Sequence, residues 1–260
     1  MIYLFFQRYL KYHIHVSVAI VCLFATTAYF MDSPIVLIDY WGVGCCSALG
    51  YLYITKLSEK PTLLLGLIYA IGTLFAIWYG FQLNIFGRIC CVLSGMLVIL
   101  YPNFERFRFI GLREQPGLKV FVVALTWTIF CVGISYSRLA QTITPILLVQ
   151  VCCFVWAYVL AAMVPFEIRD VLMDDPKLKT LAHRFGISGI KLWGYFWILV
   201  AGVAVGFMPM GLQSKLWILI QLKILFWCIY ASPSSIPHFY EFWVEAIPMG
   251  MFLGMLVFGS

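Results

Sequence analysis

Charge is what this sequence has least of. Its 260 residues include 17 Lys or Arg and 11 Asp or Glu, together 11% of the chain, against 63% hydrophobic residues. A soluble domain carries about 25% charged residues, so a water-soluble globular protein is excluded. Alternating polar and apolar positions are also missing, which excludes a membrane β-barrel. Cys-x-x-Cys and Cys/His ligand spacings are absent. The nine cysteines include the adjacent pairs Cys45-Cys46, Cys90-Cys91 and Cys152-Cys153, all in apolar runs. They read as small apolar packing residues, with no structural metal or disulfide expected. Nothing resembles a cleaved signal peptide, a low-complexity segment, an internal repeat or a nucleic-acid-binding motif. No nucleic-acid partner is expected.

Long apolar runs are what the chain has. Spans of about 20 residues are needed to cross a bilayer as helices. They fall at 13–31, 35–54, 62–81, 82–101, 120–137, 145–166, 192–210, 216–232 and 242–258. Helices satisfy their own backbone polar groups in lipid, so the expected class is all-α, a polytopic membrane protein with nine transmembrane helices. Residues 1–260 read as one transmembrane domain. Met1–Lys11 reads as either an interfacial helix or the start of the first span.

Basic residues set the orientation. With the N-terminus inside, thirteen of the 17 Lys and Arg fall on the inner side: Arg8 and Lys11, Lys56 and Lys60, Arg106, Arg108, Arg113 and Lys119, then Arg169, Lys177, Lys179, Arg184 and Lys191. The outer side has Arg138 and Lys215. This bias predicts a cytoplasmic N-terminus and accounts for the net charge of +6. The connections at 102–119 and 167–191 are the long ones, which places any chemistry at the inner face. An integral protein of a bacterial inner (plasma) membrane is expected.

Four spans contain one charge each: Asp39, Arg88, Lys223 and Glu245. A mid-span ionisable residue is a functional candidate by default. Lys223 is expected to pair with Glu245 or Asp39, and Arg88 to snorkel to the outer surface. His13, His15 and His238 carry no specific signal. Asn103 and Arg106 are candidates for anion contact.

The densest chemistry follows the sixth span. Four of the 11 acidic residues lie within nine positions: Glu167, Asp170, Asp174 and Asp175. Glu167, Asp170 and Asp174 are spaced i, i+3, i+7, which puts them on one helical face. Carboxylates so arranged repel one another unless a cation or a basic side chain neutralises them. Mg2+ takes one or two carboxylates and fills its remaining positions with water and substrate phosphates. Arg169, Lys177, Lys179 and Arg184 are basic enough to contact phosphate. A solvated loop of mutually paired charges is the plainer alternative.

The segment resembles the second aspartate-rich motif of the UbiA-type prenyltransferase superfamily, roughly Asp-x-x-Asp-x-x-x-Asp followed by Thr-Leu and Gly. Here the matching residues are Glu167, Arg169, Asp170, Asp174, Thr180-Leu181 and Gly186. Leu112-Arg113-Glu114-Gln115-Pro116-Gly117-Leu118-Lys119 is similar to that family's basic connection between the fourth and fifth helices. The resemblance implies a UbiA-like helical bundle and Mg2+-dependent transfer of a polyprenyl group from its diphosphate to a small hydrophobic acceptor, often aromatic. It implies Glu167, Asp170 and Asp174 as metal-binding and catalytic residues. It implies Arg169, Lys177, Lys179, Arg106, Arg113 and Lys56 as contacts to the diphosphate. The family's first motif is degenerate here: residues 48–61 contain no Asp or Asn, Glu59 is the only carboxylate, and Lys56 sits where negative charge is expected. The alternative is a catalytically inactive UbiA-fold protein that binds lipid or serves as a scaffold.

Overall fold

A computed structural model describes residues 14–56, 63–103, 110–139, 142–171, 180–234, 236 and 239–258. Among these residues there are nine α-helices and no strand. They are α1 (Ile14–Phe30), α2 (Leu37–Lys56), α3 (Leu63–Gln82), α4 (Ile85–Ile99), α5 (Lys119–Ser137), α6 (Pro145–Asp170), α7 (Leu181–Phe207), α8 (Leu212–Ala231) and α9 (Ile247–Phe258). A single 3-10 turn, Leu112–Glu114, precedes α5, and a short π-helical segment, Phe239–Val244, precedes α9. Four of the helices, α5 to α8, are long and apolar enough to cross a membrane. Large apolar side chains such as Leu74, Ile85, Ile146, Leu192, Leu199 and Phe207 cover the outside of the bundle, a surface suited to lipid rather than water.

Helix ends follow local chemistry. Asn84 caps α4 by accepting from the Gly87 N–H (2.9 Å), and its amide donates to the Ser137 carbonyl on α5 (2.9 Å). Thr144 caps α6, with Pro145 as its first residue, where the missing proline N–H costs nothing. The seventh helix starts at 181 rather than 192. Thr180 caps it, but Gly186 at φ +67 turns the chain within it. That left-handed conformation is open to glycine and strained for other residues. The short turn before Gly186 is too polar to read as membrane-spanning.

Sequence neighbours pack side by side from α1 to α3 and from α4 to α9, and α9 returns to α1. The helices therefore close a ring, with α1 also leaning on α5. Around that ring the loosest join is that of α3 with α4. Opposite the acidic end, Asp39 is fully buried and accepts from Arg138 Nε (2.9 Å), Arg138 Nη2 (2.6 Å) and Tyr79 Oη (3.0 Å). This ties α2, α3 and the end of α5 together.

Candidate functional site at the polar end of an apolar cavity

The site begins with the junction of α5 and α6. Pro165 lies inside α6, and the helix continues through it to Asp170. Glu167 and Asp170 are three residues apart and so share a face. Both are buried, at 2% and 8% exposure. Facing them is Lys119, the first residue of α5, at 9% exposure. Its Nζ lies 2.8 Å from Asp170 Oδ2 and 3.4 Å from Glu167 Oε1. Arg169 folds back onto the same carboxylate, with Nε and Nη2 each 2.7 Å from Asp170 Oδ1. The Arg169 guanidinium also stacks near Phe166 (5.3 Å) and Tyr240 (5.6 Å).

The segment before α5 completes this end. Gly111 N–H donates to Asn103 Oδ1 (2.7 Å), Leu112 N–H to the Leu100 carbonyl and Arg113 N–H to the Tyr101 carbonyl (3.0 Å each). Gly111 packs directly on the Tyr101-Pro102 backbone, so any side chain there would collide with it. The fold-back sets Arg113 and Tyr101 beside Lys119. Gly117, at φ +74, then turns the chain into α5. A space of about 10 Å³ lies behind Lys119, between Arg113, Glu167 and Thr180, roughly the room of one water.

Beyond this end extends a cavity of about 900 Å³, near the upper end for small-molecule sites. Lys119, Arg113, Arg169, Asp170 and Tyr101 line one part of it. Its wall runs along α4 from Ile99 as far as Arg88, about 17 Å at the helical rise. Most of that wall is apolar or aromatic, including Trp127, Phe130 and Phe166. Glu245 also lines it, 3.0 Å from His15 Nε2. From α2 the cavity receives Tyr51, Tyr53 and Thr55, and no carboxylate.

Of the residues expected from sequence, the fold brings together Glu167, Arg169, Asp170 and Arg113. Asp174, Lys177, Lys179 and Arg106 lie outside the described residues, as does the side chain of Lys56. Several expectations are corrected. Lys223 is exposed on α8 and its expected partners are engaged elsewhere, Glu245 with His15 and Asp39 with Arg138. His15, given no role from sequence, is buried at 2% exposure beside a cavity carboxylate. Asn103 is exposed and its Oδ1 accepts from the Gly111 N–H; the amide NH2, which is the group that donates to an anion, is not used by that contact. Arg88 donates to the Leu83 and Phe81 carbonyls at the α3–α4 corner, consistent with its expected position at that end. From sequence, Lys119 stands out only as a positive-inside residue and as the end of the basic connection at 112–119. One signal marked it: a lysine at the first position of a helix opposes the helix dipole, which favours an anion there.

No family model matches the chain, and no curated protein matches it. Solved structures do. An apo UbiA homologue from Aeropyrum pernix K1 superposes with a TM-score of 0.67 at 13% identity, over 95% of this chain and 98% of that one. A UbiA homologue from Archaeoglobus fulgidus gives 0.64 at 11% identity, over 96% and 98%. The same organism's homologue bound to Cd2+ gives 0.62 at 10% identity, over 96% and 100%. Agreement over nearly the whole of each chain, at identities this low, is agreement of fold: this helical membrane protein has the UbiA-type fold.

Proposed function

We propose that the protein binds a polyprenyl diphosphate and transfers its prenyl group to a small hydrophobic acceptor, aromatic acceptors included. The observation that carries this reading is the joining of a cationic end to a long apolar cavity within a UbiA-type fold. Arg113, Lys119 and Arg169 would receive the diphosphate, with Lys177, Lys179, Arg106 and Lys56 as the further basic residues of the sequence motif. The prenyl chain would lie along α4. The bias of Lys and Arg favours a cytoplasmic N-terminus, with this cationic end at the cytoplasmic face. The setting proposed is a bacterial inner membrane.

The chemistry follows from the lining. Breaking the C1–O bond leaves the electron pair on the diphosphate, and the cationic side chains stabilise that charge. The allylic cation left behind faces Trp127, Phe130 and Phe166, whose ring faces favour positive charge. The acceptor forms its bond to C1 and loses a proton. Glu245, 3.0 Å from His15 Nε2, is the carboxylate on the cavity wall besides Asp170 and would take it.

The implied Mg2+ would fall to Glu167, Asp170 and Asp174, and a bound divalent ion would neutralise the leaving diphosphate. The Cd2+ of one structural neighbour supports that reading. The described carboxylates do not fit it as arranged. Lys119 Nζ occupies the point on which Glu167 and Asp170 converge, and Arg169 covers the other oxygen of Asp170. Among the described residues there is no group of three potential metal ligands.

A second reading, lipid binding without catalysis, is favoured by the absence of any carboxylate from α2 at the cavity. Radiolabelled prenyl diphosphates of several lengths, supplied with lipid-soluble phenols and quinols, separate the two. Prenylated product supports transfer. Saturable binding without product across the series would establish the second reading.

A further inference from the structure

We infer that Lys119 is a built-in counter-ion that replaces a divalent metal, so that this site recognises the phosphate headgroup of its lipid without metal. The inference rests on the reading that this end of the cavity takes a prenyl diphosphate.

Three observations converge on it. First, the Lys119 ammonium stands where a shared cation would stand, 2.8 Å from Asp170 Oδ2 and 3.4 Å from Glu167 Oε1. It is 9% exposed and held at the first turn of a packed helix, so it is a fixed part of the α5–α6 interface. Second, among the described residues the carboxylates that would hold a metal are already neutralised by side chains: Lys119 reaches Glu167 and Asp170, Arg169 covers the other oxygen of Asp170, and Arg113 lines the same end. Mg2+ needs one or two carboxylate oxygens open to it, and these are occupied by cations. Third, among the described residues the facing helix supplies no carboxylate: the polar groups that α2 contributes to the cavity are Ser47, Tyr51, Tyr53 and Thr55.

The division of labour is physical. Buried carboxylates are tolerated when paired, and Lys119 pairs both. Arg113, exposed and lining the same end of the cavity, is suited to phosphate oxygens, which guanidinium groups hold bidentately. In this protein the acidic motif positions a cation, where a metal-dependent site would use the same carboxylates to position an ion.

The test uses full-length protein purified in detergent and geranylgeranyl diphosphate as the probe, read as ligand-dependent thermal stabilisation in EDTA and in excess Mg2+. Geranylgeraniol is the control for binding through the chain alone. Wild type is expected to bind the diphosphate as tightly in EDTA as in Mg2+. Lys119→Gln is expected to lose affinity in EDTA by about tenfold or more, the worth of a charge-assisted contact. It should regain affinity in Mg2+, because the two carboxylates are then open to an ion. Lys119→Arg is expected to keep binding in EDTA, and it keeps the test decisive should Lys119→Gln fail to fold. Wild-type binding that appears only with Mg2+ would overturn the inference and leave the proposed function standing. Absence of binding in both conditions, across prenyl lengths, would overturn both.

Discussion

Lys119 and Asp170 meet at 2.8 Å across the α5–α6 interface, and the arrangement of the whole polar end follows from that contact. The lysine is also 3.4 Å from Glu167, so one cation serves two buried carboxylates. Removing it leaves two like charges three residues apart on one helix. Lys119→Met is therefore expected to destabilise the fold by about 3–5 kcal/mol, the cost of breaking a buried pair on one side. Combining it with Glu167→Gln and Asp170→Asn should restore part of that loss, since no unpaired buried carboxylate remains and only Arg169, 31% exposed, gives up its Asp170 partner. Thermal unfolding in detergent of the single and triple variants checks this. A Lys119→Met protein as stable as wild type would show that the contact carries no structural energy.

The opposite end holds a second ion pair with a different role. Asp39 has no exposed surface and takes three hydrogen bonds from Arg138 and Tyr79. It lies away from the cationic end of the cavity. Asp39→Ala strands the Arg138 guanidinium, and a loss of about 3–5 kcal/mol is expected. Tyr79→Phe removes one neutral donor and should cost about 1 kcal/mol. The order of the two is the prediction, read from unfolding midpoints. Equal losses would mean that the pair is no stronger than an ordinary hydrogen bond.

Gly42 lies under the ring of Tyr79. A Cβ there would stand 2.5 Å from three ring atoms, and the ring is fully buried with its hydroxyl tied to Asp39. The ring has no room to swing aside. Gly42→Ala is expected to cost about 1–3 kcal/mol by overpacking, and Tyr79→Leu in the same chain should recover part of it. A neutral Gly42→Ala variant would contradict the packing described for α2 against α3.

Gly95 offers the reverse case. It lines the cavity from α4, and nothing lies within 4 Å of a Cβ built on it. Gly95→Trp should place its ring in the cavity, block the prenyl chain and leave the melting temperature of the free protein within about 2 °C of wild type, the effect of a fraction of a kcal/mol in a chain this size. Prenyl diphosphate stabilisation should be lost, while inorganic diphosphate, which needs only the polar end, should bind as before. Retention of long-chain binding would place the prenyl tail elsewhere.

The helices were legible because lipid imposes one rule on every span: about 20 apolar residues, with the backbone satisfied internally. Where the reading slipped, a local feature had competed with hydropathy. Residues 181–191 are polar enough to read as a connection, yet Thr180 caps a helical turn there and the chain resumes helix after the bend at Gly186. The helical spacing of Glu167 and Asp170 was visible; the cation between them was not, because Lys119 lies 51 residues away from Asp170 in sequence. The same holds for His15 with Glu245 and Arg138 with Asp39, pairs that exist only once α1 meets α9 and α5 meets α2. Expecting Lys223 to pair with either carboxylate assumed that mid-span charges seek each other. The fold satisfies both carboxylates with residues from helix ends instead.

The most direct test of the account compares three ligands on the wild-type protein: geranylgeranyl diphosphate, geranylgeraniol and inorganic diphosphate, each titrated while thermal stability is followed. A cationic end joined to an apolar cavity should bind the lipid diphosphate at least tenfold more tightly than either part alone, because each part engages only half of the site. Equal stabilisation by the alcohol and its diphosphate would mean that Arg113, Lys119 and Arg169 do not hold the headgroup, and the account would fail at its centre.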